Sequence, residues 1–162
     1  MSLNNGMFTS NSAEWATPWS LFELINSVYN FTLDVCANEH NTKVPNNFYS
    51  IKDNGLVLDW SGTCWCNPPY GREIDQWVRK ALRESEKDID SIIVMLLPAR
   101  TDTKWMHDYV FNFADLLFLK GRVKFNNMDA APFPSMLAIY NDIDHRGEQL
   151  SHILPGLYVR RD

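Results

Sequence analysis

The sequence predicts an α/β domain built on an open, mostly parallel sheet with helices on its faces, and three observations point there. Residues 91–97 form a near-continuous apolar run, the mark of a strand covered on both faces. The apolar run Thr63-Cys64-Trp65-Cys66 leads into Asn67-Pro68-Pro69-Tyr70 and Gly71. A helical stretch follows, with Ile74, Trp77, Val78, Ala81 and Leu82 on one face and Arg79, Lys80, Arg83 and Glu84 on the other. Together these segments read as a β-α-β unit with the double-proline turn at the carboxyl end of its first strand, where open α/β sheets place their ligands. The length of 162 residues suits one domain with one buried core.

Residues 1–13 are polar, rich in Asn and Ser and aperiodic, and read as a frayed terminus ahead of a domain spanning 14–162. Thr17-Pro18 reads as an N-cap followed by proline at the first helical position. Leu21, Phe22, Leu24, Ile25 and Val28 then recur at helical spacing up to Asn30. Residues 31–35 are a short β-rich run ending beside an acid, and residues 36–47 form a polar loop long enough to be functional or mobile. Residues 55–60 and 63–66 are strand candidates split by Ser61-Gly62, with Leu56, Leu58 and Trp65 expected in the sheet. After residues 91–97, Pro98 to Thr103 make a turn, and a helix carries Trp105, Met106, Tyr109, Val110 and Phe113. Residues 115–119 form a strand, Gly121-Arg122 turns the chain into Val123-Lys124-Phe125, and a loop rich in Asn, Ala and Pro precedes strands at 135–140 and 156–159.

Composition narrows the function classes. Apolar residues make up 45% and aromatic ones 13%, with six Trp and nine Phe, enough for an aromatic pocket as well as a core. The net charge of −5 excludes a surface basic all over, so a nucleic acid must be met by a local patch. No apolar stretch approaches 18 residues and no charged-then-apolar leader opens the chain, which argues for a soluble intracellular protein without a membrane partner. Three cysteines make a poor disulfide framework and fit a reducing compartment. Cys36, His40, Cys64 and Cys66 have the atom types of a zinc site. Cys64 and Cys66, however, alternate with Trp65 as a buried strand would, and packing is the better reading; no metal is expected.

The chemistry concentrates at Asn67-Pro68-Pro69-Tyr70. Two prolines fix two φ angles near −65° and bias Asn67 towards an extended conformation, so the chain leaves the strand in a rigid turn. There the Asn67 carboxamide oxygen and the Pro68 carbonyl can accept hydrogen bonds from one exocyclic amine. Tyr70 offers a ring face to the same flat heterocycle, and Pro69 shapes the turn. Such an amine is a poor nucleophile because its lone pair is delocalised. Two acceptors gripping its hydrogens favour the pyramidal nitrogen that can attack a methyl sulfonium.

Trp15 and Thr17-Pro18, Leu33-Asp34-Val35-Cys36-Ala37, Asp53 with Gly55-Leu56, Trp60, and Cys66-Asn67-Pro68-Pro69-Tyr70-Gly71 occur in an order with a meaning. So do Leu97-Pro98-Ala99-Arg100-Thr101-Asp102 with Trp105, and Gly121-Arg122 with Phe125. In this order and spacing the chain resembles the phage and prophage DNA N6-adenine methyltransferase (Dam-like) family, from about residue 15 to residue 140. The resemblance implies a single-domain, Rossmann-like class I methyltransferase with an antiparallel strand near the C-terminus. It implies S-adenosylmethionine as cofactor and adenine in double-stranded DNA as acceptor, in the cytoplasm of a bacterial host. It also implies that Asn67, Pro68, Pro69 and Tyr70 form the acceptor pocket. Asp34, Cys36 and Ala37 would bind the cofactor, Trp15, Thr17 and Pro18 would close over its methionine part, and Asp53 and Leu56 would lie near its adenosine. The glycine-rich loop usual after the first strand is replaced by Val35-Cys36-Ala37-Asn38, which a cofactor without a pyrophosphate tolerates.

An adenine inside a duplex must be flipped out to reach such a pocket. Arg72, Arg100, Lys120, Arg122 and Lys124 are the candidate phosphate contacts. Each assignment has a structural counterpart: Asp34 could cap a turn, Thr17 a helix, Trp15 could belong to the core, and Arg122 and Lys124 to a solvated hairpin. His40 reads as a surface histidine. The same turn also serves methyltransferases acting on RNA bases or a protein glutamine amide, and a cofactor-free nucleic-acid-binding module is a third reading. Oligomeric state is left open.

Overall fold

The computed structural model describes residues 15–127 and 129–162; the terminus expected to fray, residues 1–13, lies outside them. The elements are α1 (Trp19–Tyr29), β1 (Leu33–Asp34), β2 (Thr63–Cys66), α2 (Ile74–Lys87), β3 (Ile92–Pro98) and α3 (Lys104–Tyr109). They continue with β4 (Ala114–Leu119), a 3₁₀ turn at Phe125–Asn127, β5 (Ser135–Tyr140), α4 (Arg146–Ser151) and β6 (Gly156–Val159). One six-stranded sheet runs in the order β1-β2-β3-β5-β4-β6. β1, β2 and β3 pair in parallel, and β5 inserts antiparallel between β3 and β4. β4 therefore points the same way as the first three strands. β6 closes the far edge antiparallel to β4, so the expected parallel sheet with an antiparallel strand near the C-terminus has two such strands.

Side-chain alternation sorts the core into two layers. Cys64, Cys66, Ile93, Met95 and Leu97 face α2 and α3 through Trp77, Val78, Ala81 and Met106. Their neighbours Trp65, Val94 and Leu96 face α1 through Phe22, Ile25 and Val28. Burying one such large side chain contributes roughly 1.5–3 kcal/mol. The Cys-x-Cys pair therefore points into the α2 side of the core, and burial pushes the Cys64 thiol up to about 12.

Several elements differ from expectation, each for a local reason. Helix α1 begins at Trp19, with Pro18 rather than Thr17 in the capping position. Its Leu24 lies on the exposed side. Strand β1 is two residues long and is extended only by a parallel bridge from Asp34 to Phe48. Residues 55–60 are turns, not a strand. Asn54 has φ 59°, and a Cβ at Gly55 would sit 2.2 Å from the Val35 carbonyl oxygen, so only glycine passes there. The Trp60 indole closes the turn on the Gly55 carbonyl at 2.8 Å. Helix α3 stops at Tyr109, although Val110 still packs in the core. Helix α4, which the sequence reading did not find, follows His145 at φ 50°.

Candidate active site

The ladder of β2 ends at Cys66 because neither Pro68 nor Pro69 has an N–H to donate to a neighbouring strand. Gly71 follows with φ 131° and lets the chain turn into α2. Asn67 thus stands at the carboxyl end of β2, beside the carboxyl end of β1, where Asp34 sits.

The Asn67 carboxamide is oriented by the strap 15–18. Its Nδ2 donates to the Trp15 carbonyl at 2.7 Å and to Thr17 Oγ1 at 3.1 Å. A carbonyl can only accept, so the NH₂ must face the strap and Oδ1 must face away. That Oδ1 is buried and has no partner among the described residues. A buried amide oxygen without a donor costs about 1–3 kcal/mol, and native structures rarely leave one.

Tyr70 completes the turn. Its hydroxyl donates to the Leu96 carbonyl at 2.9 Å, and burial holds the phenol well above its ordinary value, so it stays neutral. Its ring lies 6.4 Å from that of Trp15 and nearly parallel to it, with Phe133 edge-on at 5.5 Å and Phe125 at 6.2 Å. Loop 126–134 is held against the site by Ala99 N–H donating to the Pro134 carbonyl at 2.9 Å and Asn126 N–H to the Ala16 carbonyl at 3.1 Å.

Asp34 organises the polar loop 36–47. Its Oδ2 accepts from Lys43 N at 2.9 Å and Thr42 Oγ1 at 3.5 Å, and its Oδ1 from Cys36 N at 3.4 Å. Burial raises the carboxyl to about 6, against the pull of these hydrogen bonds and of the Lys43 charge. Asn38 adds internal bonds to His40 and Asn41. The segment read as a loose loop is a folded turn around one carboxylate.

Between Asp34 and Asn67 lies a cleft lined by Thr17, Cys36, Lys43 and Trp65, with about 20 Å³ of free space. That admits a water and nothing larger. A second, open groove of about 390 Å³ lies at the carboxyl end of β4, with Lys120, Arg122 and Lys124 over a floor that includes Pro18, Leu21 and Leu154.

The structure therefore brings Thr17, Asp34, Cys36 and Asn67 together. Trp15 sits against Tyr70, and Pro18 lines the basic groove rather than the cleft. Ala37 donates its N–H to Tyr49. Asp53 is exposed and caps a turn by accepting from Ser50 N and Oγ, while Leu56 packs at the edge of the core. Arg72 and Arg100 are exposed on the turns after β2 and β3. With Lys120, Arg122 and Lys124 after β4, they lie at one end of the sheet because these strands run parallel. The sequence reading missed Lys43, Phe125 and Phe133 as site residues. Two Phe bracketing a loop rich in Asn, Ala and Pro were the available signal for the last pair.

Fold and turn together define an α/β protein with a polar cleft at the carboxyl ends of parallel strands. Residues 7–149 match the family described as DNA N-6-adenine-methyltransferase (Dam), and the chain belongs to that family. It is 37% identical over 136 residues to the DNA N-6-adenine-methyltransferase of Haemophilus phage HP1, covering 78% of this chain and 77% of that protein. It is 35% identical over 109 residues to the enzyme of the same name from Escherichia phage T1, covering 65% of this chain and 44% of that longer protein.

Proposed function

We propose that this end of the sheet transfers a methyl group from S-adenosylmethionine to the N6 amine of adenine in double-stranded DNA. Family membership makes the reaction methylation of adenine N6 in DNA. That selects DNA over RNA or protein amide acceptors and an enzyme over a cofactor-free binding module. The assignment of residues rests on one observation: the Asn67 NH₂ is fixed by the strap while its buried Oδ1 has no donor among the described residues. An exocyclic amine supplies the missing donor.

S-adenosylmethionine supplies an electrophilic methyl group on a sulfonium. The chain's own residues do the rest. Asn67 Oδ1 takes one amine hydrogen and orients the nitrogen lone pair, in a setting too dry for water to compete. Tyr70 offers a ring face held rigid by its bond to Leu96, and Trp15, Phe125 and Phe133 form apolar walls. Among the described residues no ionised base touches Asn67 Oδ1, so the amine proton leaves to solvent. The polar lining of the Asp34–Asn67 cleft fits the amino-acid end of the donor by chemistry. Its 20 Å³ does not hold it, so the cleft must widen when the donor binds, and the two bonds from Asn67 to the strap must survive that movement for the amide to stay aimed. Arg72, Arg100, Lys120, Arg122 and Lys124 bind the phosphates flanking a flipped base. The reaction belongs inside the bacterial host, and no described helix is long and apolar enough to cross a membrane.

The test is transfer of a labelled methyl group from S-adenosylmethionine to unmethylated duplex DNA, with nucleoside analysis of the product. N6-methyladenine is the expected product, and Asn67→Ala should abolish it while keeping the fold. Full activity in that variant removes Asn67 from the site.

A further inference from the structure

We infer that the open groove at the carboxyl end of β4 seats a second, unpaired nucleotide of the DNA, apart from the adenine that reacts at Asn67. The inference rests on the reading of this end of the sheet as the DNA-facing site and adds a seat to it. The groove has about 390 Å³ of free space. That falls within the range of pockets that hold small ligands, about 300–1,000 Å³. Two kinds of lining meet there: Leu21, Leu154 and Pro155 are apolar, and Lys120, Arg122 and Lys124 are exposed cations. None of the three cations joins an ion pair among the described residues. Only the Arg122 side chain makes a hydrogen bond there, a 3.5 Å contact with the Ala131 carbonyl. No acid lines the groove among the described residues, in a chain whose net charge is −5.

Phosphates alone do not account for this lining. A run of phosphates is met by cations standing in water and needs no apolar pocket between them. A base in an intact duplex does not reach such a pocket either, because its faces are covered by its neighbours and its edge is recessed between the two backbones. A nucleotide taken out of the stack presents both halves of the match, a flat apolar base for the floor and a phosphate for the cations. The strap 15–18 sets where along the DNA that nucleotide stands. Trp15 lies against Tyr70, and Pro18 lines the groove. Three residues span at most about 11 Å, the length of about three base steps. The occupant is therefore a near neighbour of the reacting adenine on either strand, the base left opposite it included. No aromatic ring lines the groove among the described residues, so the base is held there by packing and not by stacking.

The experiment uses the full chain and a duplex carrying one adenine that the methylation assay above shows to be modified. 2-Aminopurine, a base analogue dark in the stack and bright outside it, is placed singly opposite that adenine and at each position within about three steps of it on both strands. Addition of the wild type should raise the emission at one position besides the target, since the groove has no ring to quench it. Leu21→Gln, at a half-buried position of the floor, should abolish that rise and weaken duplex binding about fivefold, the worth of part of one apolar contact. A duplex that is bound and methylated with no position brightened overturns the inference in favour of phosphate contacts alone. That outcome needs only the wild type, so a variant that fails to fold does not protect the inference. A rise that survives in folded Leu21→Gln overturns it by placing the unstacked base elsewhere. Absence of any methylated adenine overturns the DNA-facing reading and the inference with it, whereas the other two failures leave that reading standing.

Discussion

The two ends of the sheet treat buried polar groups in opposite ways. At the end where β5 finishes, Asp142 accepts from Gly147 N at 2.7 Å, Arg146 N at 3.0 Å and Tyr29 OH at 3.3 Å. Asp115 accepts from Tyr158 OH at 2.6 Å and Arg161 N at 2.9 Å. Asn141 donates from one NH₂ to the carbonyls of Ser85, Asp88 and Ser91. Most acceptors and donors there are matched, with Arg146 Nε the exception among the described residues, and the result is a clamp that fastens α4 and the C-terminal strand to the sheet. At the opposite end Asn67 spends its donors in the same manner, but its oxygen has no donor among the described residues. A buried amide oxygen left without a donor at the carboxyl ends of parallel strands is where a partner from outside the chain is to be sought.

The largest expected effect breaks this contrast at the open end. Asn67→Ala should lower methyl transfer by about 10²–10³-fold or more, the usual loss when an aimed polar group is removed from a dry site. Its melting temperature should fall by about 4–8 °C, because two bonds to the strap of about 1 kcal/mol each are lost. A collapse of stability with activity retained would reverse the roles of the two ends. Asp142→Ala is the counterpart: it should cost about 2–4 kcal/mol in urea unfolding by stranding buried N–H groups at the start of α4. Methyl transfer per folded molecule should not change, and a specific loss there would extend the functional region across the sheet.

Much of this division could be read from residue order. The Ile92–Pro98 strand, the amphipathic Ile74–Lys87 helix and the turn between them follow from periodicity and two prolines, because their environments are set by one face or two of a sheet. Residues 55–60 misled because alternating apolar letters also suit a turn stapled by one indole, and only the close approach of the Val35 carbonyl to Gly55 decides between them. The short helix Arg146–Ser151 has too few residues for a period and is nucleated by Asp142 from outside it. In the site, Asn67, Tyr70, Thr17 and Asp34 were legible from type and order. Thr17, expected to cap α1, instead turns its hydroxyl to Asn67, and Lys43 was hidden in a polar run whose fold depends on a carboxylate nine residues earlier.

A pH comparison sharpens the contrast at Asp34. Burial places its folded-state value near 6, above the ordinary carboxylate value. The folded protein therefore binds the proton more tightly than the unfolded chain, and this group adds stability as pH falls through about 6 towards 4. Measured by urea midpoints, the wild type should gain up to about 3 kcal/mol relative to Asp34→Asn between pH 7 and pH 4, at about 1.4 kcal/mol per unit. A flat difference would mean that the carboxylate is better solvated than its burial indicates. The smallest effect is expected from Tyr70→Phe. Losing the bond to the Leu96 carbonyl should cost about 1 kcal/mol of stability, while methyl transfer stays within about threefold because the ring remains. A large loss of transfer would assign the hydroxyl a part in the chemistry.

The strap 15–18 touches three places at once. Trp15 leans on Tyr70, Ala16 receives Asn126 from the aromatic loop, Thr17 walls the cleft beside Asp34, and Pro18 borders the basic groove. On the function proposed above, a ligand that moves this segment alters the base pocket, the donor cleft and the phosphate groove together. The affinities for DNA and for the methyl donor should therefore be coupled, which titration of each in the presence of the other would measure. By linkage, whatever factor DNA applies to the donor's affinity, the donor must apply to that of DNA.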